Sequence, residues 1–231
     1  NGGSGAPSSQ TKYYGTDLTL SSVIPTRPGY TFLGWKYNGT VYAKATIPSG
    51  SSGDREYEAI FEKTVYTINY AGIDGATVTA NPATYSVDSA AITLNNPSKT
   101  GYVFEGWIGT GLSAASKSVT IPTGSTGNKS YTATWTPVSY IITYNGLDGV
   151  TVTNPNSYSI ETDTFTLNNP SMRGAEFLGW SAGDSEELLT TVTITKGTTG
   201  NKSFTAHWDY RDYTITYNLA GGTATGNPTT Y

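Results

Sequence analysis

The feature that most constrains this chain is that it copies itself. The stretch "GSTGNKSYTATW" ends at Trp135, and "GTTGNKSFTAHW" ends at Trp208. The likeness extends upstream, where "YTINYAGIDGATVT" from Tyr66 matches "YIITYNGLDGVTVT" from Tyr140, and "TLNNPSKTGYVFEGW" matches "TLNNPSMRGAEFLGW". With one residue deleted near Ala80, about half the aligned positions are identical. Trp107 and Trp180 lie 73 residues apart, as do Trp135 and Trp208, so the unit of construction is a module of that length.

A more divergent first copy carries "PTRPGYTFLGW" up to Trp35 and "ATIPSGSSGDREYEAIF", with Phe61 where later copies have tryptophan. A fourth copy begins with "YTITYNLAGGTATGNPTTY". In phase, the divisions fall at 1–63 (repeat 1 without its first strand), 64–138, 139–211, and 212–231 (a first strand and turn). That phasing raises the expectation of head-to-tail self-association, in which the strand Tyr213–Tyr217 of one molecule completes the first repeat of another.

Composition narrows the function classes. The net charge is −4 over 231 residues and the Lys and Arg residues are dispersed, so no basic stripe offers itself to nucleic acid. There is no cysteine, which leaves these small modules without disulfides. No apolar run approaches the roughly 18 residues of a spanning helix, and no signal peptide is present, so no membrane insertion is expected and any export signal or anchor would lie outside this stretch. Modules of about 70 residues bury only about 60% of their unfolded surface, so contacts between neighbours should matter.

Alternation of period two in "YTINY", "YIITY" and "YTITY" predicts half-buried strands, with Tyr66, Ile68 and Tyr70 on one face. The Asp-Gly steps at Asp74 and Asp148 predict tight turns leading to a second strand through "ATVT" or beyond. Alternation through "GYVFEGW" puts Tyr102, Phe104 and Gly106 on one side and Val103, Glu105 and Trp107 on the other. "KSVTIP" and "KSYTATW" read as hairpin partners joined by "TGSTGN", with Tyr131, Ala133 and Trp135 sharing a face. No segment carries a helical apolar period over three turns, so the expectation is a mainly β chain, α+β at most.

These motifs resemble the Listeria–Bacteroides repeat, also called the internalin B-repeat. Its marks are an opening "YTITYN" with a glycine turn, a central "P-T-K-x-G-Y-x-F-x-G-W" and a closing "T-x-x-A-x-W", and they recur in register along essentially the whole chain. The departures are Ala175 for tyrosine and Phe61 for tryptophan. The resemblance implies tandem β-grasp-like modules, each a small twisted sheet with a short crossover, on a bacterial cell-surface or extracellular protein. It further implies a stalk that separates a binding or catalytic domain from the cell wall, with weak adhesion in some members and no catalytic residues to transfer.

No cofactor, metal or catalytic residue is expected from the residues themselves. His207 is the single histidine, its aligned positions hold Thr134 and Ile60, and alternation points it away from the aromatic face as a surface residue. Asp74 and Asp148 recur without neighbouring acids, whereas calcium takes six to eight oxygen ligands, so they read as turn residues. Lys129 and Lys202 sit beside Asn128 and Asn201, too close in a turn for a long-range isopeptide bond.

The copies differ most just after the central tryptophan, where they read "KYNGTVYAKA", "IGTGLSAASKS" and "SAGDSEELLTT", the last containing Glu186 and Glu187. Such loops either drift freely or form recognition tips on a rigid scaffold. In the first copy Tyr37 and Tyr42 are aromatics suited to stacking on a sugar ring, and they are the candidate ligand contacts, with a host or matrix glycan or protein as partner. The connections "TPVS" and "DYRD" are about four residues long. A 70-residue module is about 30 Å across, so three stiffly joined in line would reach about 90–100 Å. The leading expectation is therefore a non-enzymatic spacer, and the alternative is an adhesive module acting through its loops or sheet edges.

Overall fold

The computed structural model describes residues 2–20, 22–44, 46–226 and 228–230. Among them there is no helix, and the chain is mainly β with tandem repeats. The first stretch contains β1 (Leu18–Thr19), β2 (Tyr30–Tyr37), β3 (Thr40–Tyr42), β4 (Thr46–Ile47) and β5 (Glu58–Lys63). The second contains β6 (Tyr66–Ala71), β7 (Thr84–Tyr85), β8 (Ile92–Thr93), β9 (Tyr102–Gly109), β10 (Thr120–Ile121) and β11 (Lys129–Pro137). The third contains β12 (Tyr140–Asn145), β13 (Ser157–Tyr158), β14 (Phe165–Thr166), β15 (Ala175–Ala182), β16 (Thr193–Ile194) and β17 (Lys202–Tyr210). Two compact units result, one of Asn1–Lys99 with Phe104–Trp135 and the other of Thr100–Val103 with Thr136–Tyr231.

Each complete repeat builds one four-stranded sheet, ordered β7-β6-β11-β9 and then β13-β12-β17-β15, with a separate two-stranded ladder, β8 with β10 and β14 with β16. The first and last strands of a repeat run parallel at the centre: β6 beside β11, with Ile68 opposite Lys129, and β12 beside β17, with Ile142 opposite Lys202. The first repeat shows the order β3-β2-β5 and a β1–β4 ladder.

Alternation in the first strand holds. Ile68 and Ile142 are buried, each flanked two residues away by half-buried tyrosines on the same face. They pack against Trp107 and Trp180, both 0% exposed. Burying an aromatic of this size removes about 150–250 Å² from water, or roughly 4–6 kcal/mol of transfer free energy per tryptophan. Neither indole is left with an unmet donor, because Trp107 Nε1–H donates to Asn96 Oδ1 at 3.1 Å and Trp180 Nε1–H to Asn169 Oδ1 at 3.1 Å.

Two local expectations fail, each for an identifiable reason, while a third is met. The Asp-Gly turn is tight, with Ala76 N–H donating to Ile73 O at 3.0 Å, and the second strand it leads to lies beyond "ATVT". Thr77 makes only a single bridge to Ser98, and the antiparallel partner of β6 is β7, in which Tyr85 faces Tyr66. The pairing of "KSVTIP" with "KSYTATW" does not occur. β10 pairs with β8, while β11 has both its edges taken by β6 and β9.

Alternation through "GYVFEGW" fails as well, since the rings of Phe104 and Trp107 lie 5.7 Å apart in the same core. The register of the corresponding strands gives the cause: β15 slips one residue against β17 between Phe177 and Gly179, and β2 slips against β5 between Phe32 and Gly34. This β-bulge returns the tryptophan to the phenylalanine's face. Glycine is required at the slip, because Gly106 has φ +142° and a Cβ there would come within 2.6 Å of Ser116 N.

Candidate binding surface

The three divergent loops take different forms. In the first repeat the chain makes a β-hairpin in which Tyr37 faces Thr40 across Asn38 and Gly39, at φ 43° and 79°. Positive φ at both central residues is the type I′ geometry that matches strand twist, and Asn-Gly is its strongest sequence signal. In the second and third repeats the return strand shrinks to single bridges, Trp107 with Ser116 and Trp180 with Leu189.

Tyr37 and Tyr42 both belong to this hairpin. Tyr42 lies opposite Trp35 and is 39% exposed, so the pairing puts it on the face shared by Trp35 and Tyr37. The Tyr37 ring is tilted 31° against that of Tyr57 at 5.1 Å, and the Arg55 guanidinium stands 5.1 Å from its centroid. That distance lies within cation–π range, so two neighbours hold the ring. Arg55 did not stand out in the sequence; the signal was available in the "REY" that precedes β5, which pairs beside β2.

Behind the hairpin is an open cleft of about 340 Å³ that includes Leu18, Trp35, Ile47, Arg55 and Tyr57 in its lining. The second repeat closes the equivalent space with Ile68 of β6, packed in one cluster with Leu94, Trp107, Ile121 and Tyr131. Trp35 is accordingly 9% exposed where Trp107 is 0%.

The other polar residues singled out from the sequence serve the scaffold. His207 is half-buried rather than on the surface, and its Nε2 shares a 2.9 Å hydrogen bond with Oγ of buried Ser181. The bulge places His207 opposite Gly179, whose missing side chain leaves room for the imidazole to reach Ser181. Asn128 Oδ1 accepts the Thr67 N–H at 3.0 Å and Asn201 Oδ1 the Ile141 N–H at 2.9 Å. The Lys129 ammonium donates to Thr126 O at 3.0 Å.

Perturbed acid–base groups are also structural. Burial raises the hydroxyls of Tyr85 and Tyr158, which donate to the carbonyls of Gly127 and Gly200. Ion pairing lowers Asp88 and Asp163 and raises their partners Lys63 and Lys196, with N–O distances of 2.9 Å in both pairs. No cluster of three metal-ligating side chains occurs among the described residues.

Comparison with curated proteins and with solved structures yields no match. A family model does match, over residues 1–53, 66–134 and 140–207, three times in tandem. The family is typically non-catalytic and is found in bacterial surface and extracellular proteins. With recurring cores, asparagine clamps and central tryptophans all inside the matched spans, the chain belongs to the Listeria–Bacteroides repeat family.

Proposed function

We propose that these repeats are a non-enzymatic spacer of a bacterial cell-surface or secreted protein, holding another domain away from the cell. The observation that carries this reading is where the recurring residues go. The residues that repeat in register are core aromatics and the polar groups that clamp them, such as Asn96 on Trp107 and Asn169 on Trp180. A chain that reproduces its scaffold and varies its tips is reproducing structure rather than chemistry. The sheet order, with first and last strands parallel at the centre, supports a β-grasp-like description of each repeat.

The second reading, adhesion, is favoured by the first repeat alone, whose hairpin carries Val41 and Tyr42 at 44% and 39% exposure. A screen of the chain against glycan and host-matrix arrays separates the two, with residues 36–42 exchanged for the tip of the second repeat as control. Binding that follows the hairpin makes this an adhesin acting through Tyr37 and Tyr42. Silence on the arrays, with solution scattering that gives a largest dimension of about 90–100 Å, is the expected result for a spacer. Scattering from a compact globule would contradict the stalk.

A further inference from the structure

The central motif contains a Gly-Tyr pair that neither a core nor a binding tip uses. In the first repeat the pair is Gly29–Tyr30, and in the second it is Gly101–Tyr102. Inside each compact unit this pair meets the same part of the following repeat, namely the turn after its second strand. Val87 stands against Gly29, so close that a Cβ on the glycine would fall 1.8 Å from Val87 Cγ1. Ile160 stands against Gly101, where a Cβ would fall 2.7 Å from Ile160 Cδ1.

The adjoining residues also pair. Tyr30 O–H donates to Asp88 Oδ1 at 3.2 Å, and Tyr102 O–H donates to Glu161 Oε1 at 2.9 Å. Lys63 adds an ion pair to Asp88 at 2.9 Å, and Arg27 lies 3.7 Å over the Tyr30 ring. The connector is tied to the same glycine in each case, as Thr64 N–H donates to Gly29 O and Val138 N–H to Gly101 O, both at 2.9 Å.

We propose that each Gly-Tyr pair is a socket for the aliphatic–acidic turn of the next repeat, forming a repeat-to-repeat coupling site whose partner is another copy of the same module. The glycine leaves room for the aliphatic knob, its carbonyl fastens the connector, and the tyrosine hydroxyl fixes the acid. The partner is specified by chemistry, since a valine or isoleucine followed by a carboxylate is what this socket accepts.

Two comparisons within the molecule separate this role from ordinary turn geometry. The first concerns the knob. Val87 and Ile160 accept a hydrogen bond from Gly124 N–H and Gly197 N–H at 3.0 Å, and Tyr14 accepts the equivalent one from Gly50 N–H at 2.7 Å. Tyr14 thus occupies the knob position of the first repeat, yet it is 73% exposed, whereas Val87 and Ile160 are half-buried. A repeat does not bury this side chain in its own core; the socket buries it.

The second comparison concerns the glycine. Gly174 has the same turn, at φ +84°, and its carbonyl accepts Arg211 N–H at 2.9 Å, but a Cβ there would come no nearer than 3.7 Å to its closest neighbour, Tyr213. The turn by itself therefore accounts for a glycine but not for the close seat that Val87 and Ile160 take. Ala175, the departure from the family motif, also withholds the hydroxyl at this third position.

The coupling holds for an adhesin as for a spacer, so its failure and the failure of the spacer reading are separate outcomes. Hydrogen exchange read by mass spectrometry on the full 231-residue chain tests it. Val87→Asp is expected to speed exchange of the Thr64 amide, and Ile160→Asp that of Val138, by about tenfold, equivalent to about 1.4 kcal/mol of local opening. Tyr14→Asp, at the same turn position without a socket, should change neither. If the knob variants match the Tyr14 variant, the proposal is wrong.

Should a knob variant also release the core amides of its own repeat, the pair Tyr102→Phe and Glu161→Gln decides instead. Combined, the two are expected to speed Val138 exchange no more than either alone, as members of one contact do. Effects that multiply would overturn the socket.

Discussion

Tyr85 and Tyr158 show how single residues in these repeats serve the fold. Each is 4% exposed, and its hydroxyl donates to the carbonyl of the glycine that opens the "GNKS" segment. That contact, with the asparagine side chain that caps the first strand, explains why this segment recurs almost unchanged. Tyr85→Phe is expected to cost about 1 kcal/mol in denaturant unfolding, the usual effect of deleting one neutral hydrogen bond. Because burial raises these hydroxyls above the ordinary tyrosine range, their contribution is complete below a pH of about 10 and is lost as pH rises through the folded value. Absorbance titration at alkaline pH should therefore show a late tyrosine class that ionises together with unfolding. A uniform titration at the ordinary value would contradict this. Trp107→Ala should cost about 3–5 kcal/mol. A 70-residue module holds only about 4–10 kcal/mol in total, so circular dichroism should show the second repeat unfolding at a markedly lower denaturant concentration than in the unaltered chain. The core tryptophans were legible as core in the sequence, since large aromatics recurring in register have few other uses; their asparagine partners were not, because Asn96 lies 11 residues from Trp107 and only folding brings them together.

At the scale of elements, the bulge seen in β2 and β15 decides which side chains enter the core. Gly106→Ala combines a φ of +142° with a backbone contact of 2.6 Å, and should destabilise the second repeat by about 2 kcal/mol or more in denaturant unfolding. Ala at Gly111, where φ is +77° but the space is open, should cost less. Period-two reading worked for β6 and β12, which carry no slip, and misplaced Trp107 because a bulge changes the parity of every residue beyond it. The same limit explains the pairing of β10 with β8. Adjacency in sequence suggests a hairpin, but the central parallel pair of first and last strands takes the edge that a hairpin would need. The Asp-Gly turns, by contrast, were read directly from the sequence, and Ala76 N–H donating to Ile73 O and Val150 N–H to Leu147 O close them.

For the whole molecule, the contact between consecutive repeats within a unit should respond to acid. Lys63 lowers Asp88 below the usual carboxylate range, so the contribution of the pair is complete above a pH of about 4 and is lost as pH falls through the folded value. Exchange at Thr64, corrected for its intrinsic pH dependence, should therefore accelerate below that point, and in Asp88→Asn the acceleration should vanish. The short link reinforces the contact, because β5 ends at Lys63 and β6 begins at Tyr66, leaving two residues between the strands. The sequence by itself determined that the chain is a tandem array of small, mainly β modules with an aromatic core, because periodicity, glycine turns and self-similarity are local or repeated signals. Tertiary structure alone decided which strands pair, which face Trp107 takes, that His207 meets Ser181, and that a glycine and tyrosine of one repeat receive the next. Those outcomes depend on packing between residues distant in the chain, where a one-residue slip or a missing Cβ is worth more than any local preference.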